Sequence, residues 1–468
     1  MSLGTDLYKR LPVWVQHGAV SAYGAYWHWL RFGGGYRQEL EGYLERERFE
    51  PSDWARWQHA RVSKLLQLAA TNIPYYRRTW TAGQVKAAFA GELRELPLLD
   101  KEPIRAAPSE FLRDDWAPRP RFGYHTSGST GTPIRSEWSL QEIRSSLALR
   151  EARSARWAGV SFSLPRATFS GRMVEPDPNS RGPFYRYNLA ERQVYLSPFH
   201  LRPDTARSYV EALRRHGIQW LTGYAVSYYL LARMIQEQRL KVPPLRAIVT
   251  TSEKVTSAMR QVMEDAYQAK VYEEYSTVES ALFASACSHG RLHVSPDAGI
   301  VEIVRPDGTP CEPGEAGEVV ATCLLRWYQI FIRYRLGDVA SWSPDPCPCG
   351  LAMPVIQEVL GRVEDVVVGP DGRQLVRFHG IFVDQPHIRE GQIIQEGLNL
   401  IRVKVVATDG FGGPDVTDVV RRVQQRLGPG VNVKVERVES IPRSKSGKFQ
   451  AVISLLPKRE AERVGVRL

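Results

Sequence analysis

Three short apolar runs, residues 218–222, 246–251 and 270–275, alternate with helix-like stretches, residues 204–216, 227–238 and 255–267. This alternation constrains the fold more than any other feature. A strand followed by a helix and then another strand leaves room for a crossover, so the strands are expected to lie parallel in an α/β layer. Ligands in such sheets sit beyond the C-terminal ends of the strands. Gly223, Tyr224 and Ala225 follow the first run, Ser252 and Glu253 the second, and Tyr275 ends the third. All are candidate site residues, with Gly223, Tyr224 and Ala225 as the best guess for a substrate pocket.

Upstream lies a stretch of another kind: Thr126, Ser127, Gly128, Ser129, Thr130, Gly131 and Thr132. Its glycines let the backbone approach a ligand closely, and its hydroxyl and N–H donors suit phosphate oxygens. It is not a Walker A loop, because the Gly-Lys-Ser/Thr ending is absent. The expectation is a loop wrapping the phosphates of a nucleotide.

The chain has 468 residues, too many for one simple core, and an excess of 62 − 51 = 11 basic over acidic residues. That balance favours anionic partners. No nucleic-acid-binding motif accompanies it, so nucleic acid is not an expected partner. Five cysteines in so long a chain make no disulfide framework and point to a reducing, cytoplasmic compartment. The first 100 residues read as helical scaffold within a large N-terminal domain, residues 1–363. Residues 11–30 carry no formal charge and are rich in aromatics. A helix packed on the body is expected there, and an interfacial helix is the alternative, with peripheral membrane contact through residues 1–35. Pro51 interrupts the helical region 39–70, and Pro74 follows its end. Asp100 is the expected N-cap of a short helix.

Cys287-Ser288-His289 and Cys347-Pro348-Cys349-Gly350 supply three thiols and an imidazole, the donor set of a closed, structural zinc site. His289 is the expected fourth ligand to Cys287, Cys347 and Cys349, with His293 its competitor. Cys311 and Cys323 are expected to pack. Farther on, Asp338 after Gly337 is expected at a strand end, where its carboxylate could accept bonds from ribose hydroxyls. Residues 364–468 read as a small α+β domain with strands at 400–407 and 431–438 and a helix at 415–427. Lys448 follows a glycine on an expected loop.

Taken in order, the Ser/Thr/Gly loop, Tyr275-Ser-Thr-Val-Glu279, Arg333 to Asp338, Gly361-Arg362-Val-Glu364 and Gly447-Lys448 resemble the motifs of the adenylate-forming (acyl-CoA synthetase-like) enzymes. More narrowly, the chain is similar to the phenylacetate–CoA ligase branch and its CapK-type relatives of capsular polysaccharide biosynthesis. The resemblance covers most of the chain. It implies a large adenylation domain with mostly parallel strands and a small, mobile C-terminal lid. By the resemblance, residues 126–132 hold the phosphates of ATP and Tyr275 lies beside adenine; Ser252 and Glu253, from their place at a strand end, are expected at the cofactor site as well. Glu279 binds Mg2+, Asp338 the ribose and Arg362 stands next to it. Glu364 is the hinge, and Lys448 is catalytic. The chain departs from the family pattern at Ser276 and Val278, where Gly and Thr are usual. It departs also at Thr132, where Lys is common, and at Glu364, where Asp is usual. The implied reaction joins a carboxylate to the α-phosphorus of ATP, releases pyrophosphate, and passes the acyl group to coenzyme A. The alternatives are an amine acceptor on a sugar or an amino-acid conjugate, and a non-catalytic protein with this fold.

Overall fold

The alternating stretch forms the parallel centre of a 12-stranded sheet in the computed structural model. The structure describes residues 8, 11–125, 134–170, 174–175, 180–362, 367–370, 374–375, 379–382, 385–442, 449–457 and 459–460. In spatial order the parallel strands are Gln193–Leu196, Arg166–Phe169, Trp220–Tyr224, Ala247–Thr251 and Lys270–Ser276. Helices Ala206–Arg215, Ala225–Glu237 and Ser257–Tyr267 connect or follow them. Their buried side chains, among them Tyr209, Leu213, Tyr228, Leu231, Met263 and Tyr267, share one core with Leu221 and Ile248 of the strands. All residues of Trp220–Tyr224 are buried, as expected of a strand covered on both faces.

Past Ser276 the sheet changes direction. Phe283–Ala286, Leu292–Val294, Val355–Arg362, Tyr334–Trp342, Ala316–Cys323 and Gly299–Val304 continue it with antiparallel neighbours, and Tyr185–Asn188 closes the opposite edge. The α/β class is as expected, but the sheet is mixed rather than mostly parallel. The reason is connection length. Segments as short as 277–282 or 287–291 hold no helix to carry the chain back, so they permit antiparallel pairing alone.

Helix Val13–Phe32 lies against the edge strand Tyr185–Asn188. Among the described residues no helix is long and apolar enough to cross a membrane. The helical region is interrupted ahead of Pro51 as expected, into helices Tyr36–Arg46 and Pro51–Asn72. Pro51 stands in the first turn of the second helix, where its missing N–H costs nothing. Asp100 precedes helix Lys101–Ala106 as expected. Helix Leu140–Arg150 follows strand Arg135–Ser139 and then widens into a π-helical turn, Glu151–Ala155.

The small C-terminal domain is a second body with a core of its own, including Ile393, Ile401, Val403, Val419, Val423 and Leu427. Its sheet runs Asn432–Arg437, Leu400–Ala407, Ile388–Gly397, Val452–Ser454, with helix Gly413–Leu427 packed against it. The expected α+β character is present. The expected boundary residue, Glu364, lies outside the described residues.

Candidate active site and metal centre

Register brings the expected site residues to one edge of the sheet. Phe169 pairs with Gly223, Gly223 with Thr250, and Thr251 with Glu274, so the C-terminal ends of four parallel strands stand level. Gly223 is required there. Its φ is +124°, and a Cβ would stand 1.9 Å from the Phe169 carbonyl oxygen. Ser252, directly after Thr251, holds a left-handed φ of +70°. A non-glycine residue pays roughly 1–2 kcal/mol for that region, and such strain gathers where a backbone must be aimed. Tyr224 is buried and Ala225 opens the helix Ala225–Glu237.

Tyr275 donates its phenol hydrogen to Asp338 Oδ2 across 2.7 Å. Asp338 does not end a strand as expected. Strand Tyr334–Trp342 runs through it. Val320 pairs with Arg335 but Glu318 with Val339, so the residues between Arg335 and Val339 form a bulge. Gly337 there has φ +74°, the conformation that glycine adopts without penalty. The bulge leaves Asp338 opposite Arg362 in the backbone register of the next strand. The side chain of Arg362 is outside the described residues.

Glu279 is nearly fully buried and accepts a bond from the Tyr334 hydroxyl at 3.0 Å. Burial first, and the Glu279 charge second, push the Tyr334 phenol well above its ordinary range, so it stays protonated and donates. The turn carrying Glu279 closes through Ser280 N–H to the Thr277 carbonyl at 2.9 Å and Ala281 N–H to Thr277 Oγ1 at 3.2 Å. Arg326 holds it from below. Its guanidinium donates to the Glu279 carbonyl at 3.1 Å and to Ser136 Oγ at 3.0 Å, bonds the Glu137 carbonyl, and lies 4.0 Å over the Trp138 ring. Strand Arg135–Ser139 pairs with Arg121–His125, and residues 126–133 join the two. The expected phosphate loop, Thr126 to Thr132, lies outside the described residues.

Glu253 bridges the two domains. One carboxylate oxygen accepts the Val226 N–H at 2.8 Å, in the first turn of helix Ala225–Glu237, where amide donors lack helical partners. The other accepts the Phe449 N–H at 3.0 Å. Phe449 follows Lys448, which is itself outside the described residues. Arg233 to the Ile388 carbonyl at 3.2 Å and Arg389 to Glu237 at 3.3 Å add to the contact.

Glu274, next to Tyr275, is buried and accepts from Arg150 Nε at 3.0 Å, Ser154 Oγ at 2.8 Å and Ser276 Oγ at 3.2 Å. Ser276, where the family has glycine, thus spends its hydroxyl on an internal bond. Arg326, Tyr334, Arg150 and Ser154 escape a reading of the sequence. Each acts on a residue 47 or more positions away, and no local pattern marks such a pair.

The donor atoms of Cys287, His293, Cys347 and Cys349 lie within 4.8 Å of one another. The imidazole is therefore His293, not His289. His289 sits exposed on the turn in which Gly290 N–H bonds the Cys287 carbonyl. His293 lies on strand Leu292–Val294, paired with Ser285 on one side and Val355 on the other, and is wholly buried. Pairing on both sides decides which histidine points inward. Cys287 Sγ is 3.6 Å from Cys347 Sγ, and Cys349 Sγ is 3.3 Å from His293 Nε2. A disulfide needs about 2.05 Å. Two thiolates on one tetrahedral zinc with Zn–S bonds of about 2.3 Å stand about 3.8 Å apart, so these spacings fit a shared ion. His293 Nδ1 is 3.1 Å from the Met353 carbonyl. A carbonyl only accepts, so Nδ1 carries the hydrogen and Nε2 keeps its lone pair for a metal. Burial lowers the His293 pKa, which favours that neutral form. Cys311 and Cys323 are buried apart from this group, as expected, and burial pushes the Cys323 thiol up to about 12.

Known proteins resemble this chain over most of its length. The model of the CapK C-terminal domain matches residues 370–455. Protein CapK of Staphylococcus aureus is 22% identical over 96% of this chain and 98% of its own length. The phenylacetate-coenzyme A ligase of Thermus thermophilus is 23% identical over 90% of this chain and 99% of its own. Among solved structures, 2-hydroxyisobutyryl-CoA ligase in its postadenylation state superposes with a TM-score of 0.66 at 20% identity, covering 90% of this chain and 93% of that one. The same ligase in its thioesterification state gives 0.55 at 21% identity, over 89% and 92%. The fold is that of 2-hydroxyisobutyryl-CoA ligase.

Proposed function

We propose that this chain, an adenylate-forming fold, activates a carboxylic acid with ATP and transfers the acyl group to coenzyme A. A carboxylate is a poor acyl donor because its leaving group is oxide. Attack of its oxygen on the α-phosphorus of ATP forms the P–O bond of an acyl-adenylate and expels pyrophosphate. A thiolate then attacks the acyl carbon and AMP departs. The obstacle in the first step is electrostatic, since two anions must meet. In this reading residues 126–132 bind the phosphates, Tyr275 flanks the base, and Asp338 and Arg362 address the ribose. Ser252 and Glu253 shape the same edge. Lys448 offsets charge at the α-phosphate. Glu279 presents buried hard oxygen and would hold Mg2+, which when bound screens the phosphates. Gly223, Tyr224 and Ala225 line the acid's side.

The observation that supports this reading most is a convergence. Tyr275, Asp338 and Glu279 lie at one edge of the sheet, and Phe449, neighbour of Lys448, bonds Glu253 at that edge. The closer superposition on the postadenylation form supports an arrangement in which the small domain faces the first half-reaction. We assign the chain to the phenylacetate–CoA ligase and CapK branch on its full-length similarity and its C-terminal match. Cys287, His293, Cys347 and Cys349 would hold zinc, with no open position for chemistry. We place the protein in the cytoplasm, where thiols stay reduced and both ATP and coenzyme A are at hand.

The test is ATP–pyrophosphate exchange with Mg2+ and a panel of aryl and aliphatic acids, without coenzyme A. Exchange with an acid establishes adenylation and names the substrate class. ATP binding with no exchange across the panel would refute the reading in favour of a non-catalytic fold. Product analysis with thiol and amine acceptors then separates coenzyme A from an amine.

A further inference from the structure

Helix Val13–Phe32 turns polar groups inward alongside Leu30 and Trp27: His17 Nδ1 accepts the Tyr187 N–H at 3.0 Å, Ser21 Oγ accepts the Leu189 N–H at 3.0 Å and bonds the Tyr187 carbonyl at 3.3 Å, and Gln16 Oε1 accepts from Arg186 at 2.6 Å. Gly24 faces Asn188 with no room for a Cβ. That polarity has a reason within the chain. Tyr185–Asn188 is the last strand of the sheet, and the helix occupies backbone groups that an edge strand would otherwise leave open.

The outward face has no such reason. Trp14, Gly18, Ala22, Ala25 and Trp29 follow at helical spacing and all are exposed. Trp14 is 76% and Trp29 71% exposed, with Tyr23 at 59% and Tyr26 at 54% beside them. A helix on a protein in water turns its apolar stripe to the core. Here two indoles some 22 Å apart along the axis project from a face of small residues. Val13–Phe32 contains no acidic residue, and Lys9 and Arg10 precede it in sequence. Leu189, exposed at 66%, adjoins Ser21, and exposed Arg192 lies three residues on.

We infer that this face docks the protein on a membrane surface carrying anionic headgroups, with the helix lying in the interface. Indole and phenol rings, each with an apolar body and a polar edge, settle at headgroup level rather than in the hydrocarbon. The excess of 11 basic residues complements an anionic surface. The same excess opposes a second copy of this chain as the occupant, because the face brings no acidic side chain of its own to meet it. The inference stands apart from the proposed reaction. The helix also reaches toward the candidate site, since Trp27 packs on Phe122 with ring centroids 5.0 Å apart, in the strand that leads to residue 126.

The experiment is co-sedimentation of the full chain with phosphatidylcholine vesicles, with and without phosphatidylglycerol. The comparison protein is the double variant Trp14→Ala/Trp29→Ala. Light scattering gives the mass of each in solution. Wild type is expected to pellet with the anionic vesicles, and the variant to bind at least about tenfold more weakly. Its melting temperature and its rate in solution should match wild type, because both side chains point into water. The milder pair Tyr23→Ser/Tyr26→Ser guards against a folding defect and should weaken binding in the same direction. Absence of wild-type binding, equal binding by both variants, or a wild-type dimer that the variants dissolve without any vesicle binding would each overturn the inference. None of these results bears on pyrophosphate exchange.

Discussion

The two sides of the candidate site are held in different ways. On the large domain, Glu279, Asp338 and Glu274 accept hydrogen bonds from side chains fixed on other strands and helices, and Arg326 anchors the Glu279 turn from within the core. At buried Glu274, losing Arg150 costs about 3–5 kcal/mol, because the carboxylate left behind keeps its charge without water. On the small domain, contact with the body runs through bonds such as Phe449 N–H to Glu253 and Arg233 to the Ile388 carbonyl, together with the Arg389–Glu237 pair. Each of these bonds has a charged partner that water can also reach, and is worth about 1–3 kcal/mol. A few of them amount to what a ligand's differential binding can outweigh. One side is preorganised; on the proposed reading the other detaches between the two steps, as a different second-step geometry would need.

The largest effect that could break this contrast comes from Lys448→Ala. If the lysine serves the first half-reaction alone, pyrophosphate exchange should fall by about 10²–10³. Thiolysis of a supplied acyl-adenylate should stay at the wild-type rate. Equal losses in both steps would mean that the small domain does not exchange roles between them. The metal centre tests the rigid side. Cys347→Ser should remove bound zinc, measured by elemental analysis, and lower the melting temperature on the order of 5–10 °C. Both half-reactions should then decline together, in step with the folded fraction. Full metal content with unchanged melting would remove Cys347 from the zinc site.

The parallel centre was legible because each strand there is a single apolar run set off by a helix, as at 218–222 and 246–251. The antiparallel half was not, because strands such as Phe283–Ala286 and Leu292–Val294 are three or four residues long and acquire meaning only from their neighbours. The same lack of neighbours misassigned the imidazole. Cys287 and His289 look like a pair in sequence, but pairing of His293 with Ser285 and Val355 turns that residue inward instead. Asp338 illustrates a third case. Gly337 was visible, but whether a glycine ends a strand or bulges it depends on the partner strand, here Ala316–Cys323. Arg326 was silent because its bonds to Ser136 and Glu279 span 190 and 47 residues.

Glu253→Gln sharpens the contrast at the seam. The amide retains one acceptor oxygen and can satisfy either the Val226 N–H or the Phe449 N–H, not both with equal strength. A hydrogen bond to a charged acceptor is worth about 1.5–3 kcal/mol, so pyrophosphate exchange should fall by about tenfold or somewhat more. Thiolysis should be spared, because in that step the small domain is expected to have left Glu253. A loss confined to thiolysis would place the contact in the wrong half-reaction.

The smallest effect is expected from Tyr275→Phe, which keeps the ring and deletes the 2.7 Å bond to Asp338. Tyr275 is half-buried, so water can reach the carboxylate oxygen that the phenol vacates, and the penalty should be that of an ordinary hydrogen bond, about 0.5–1.5 kcal/mol. If the pair orients nucleotide equally in ground state and transition state, KM for ATP rises about threefold to tenfold while kcat holds. A fall in kcat at unchanged KM would locate the bond in the transition state. Asp338 would then belong to the chemistry rather than to nucleotide positioning, and the rigid side of the site would be doing more than holding its substrate.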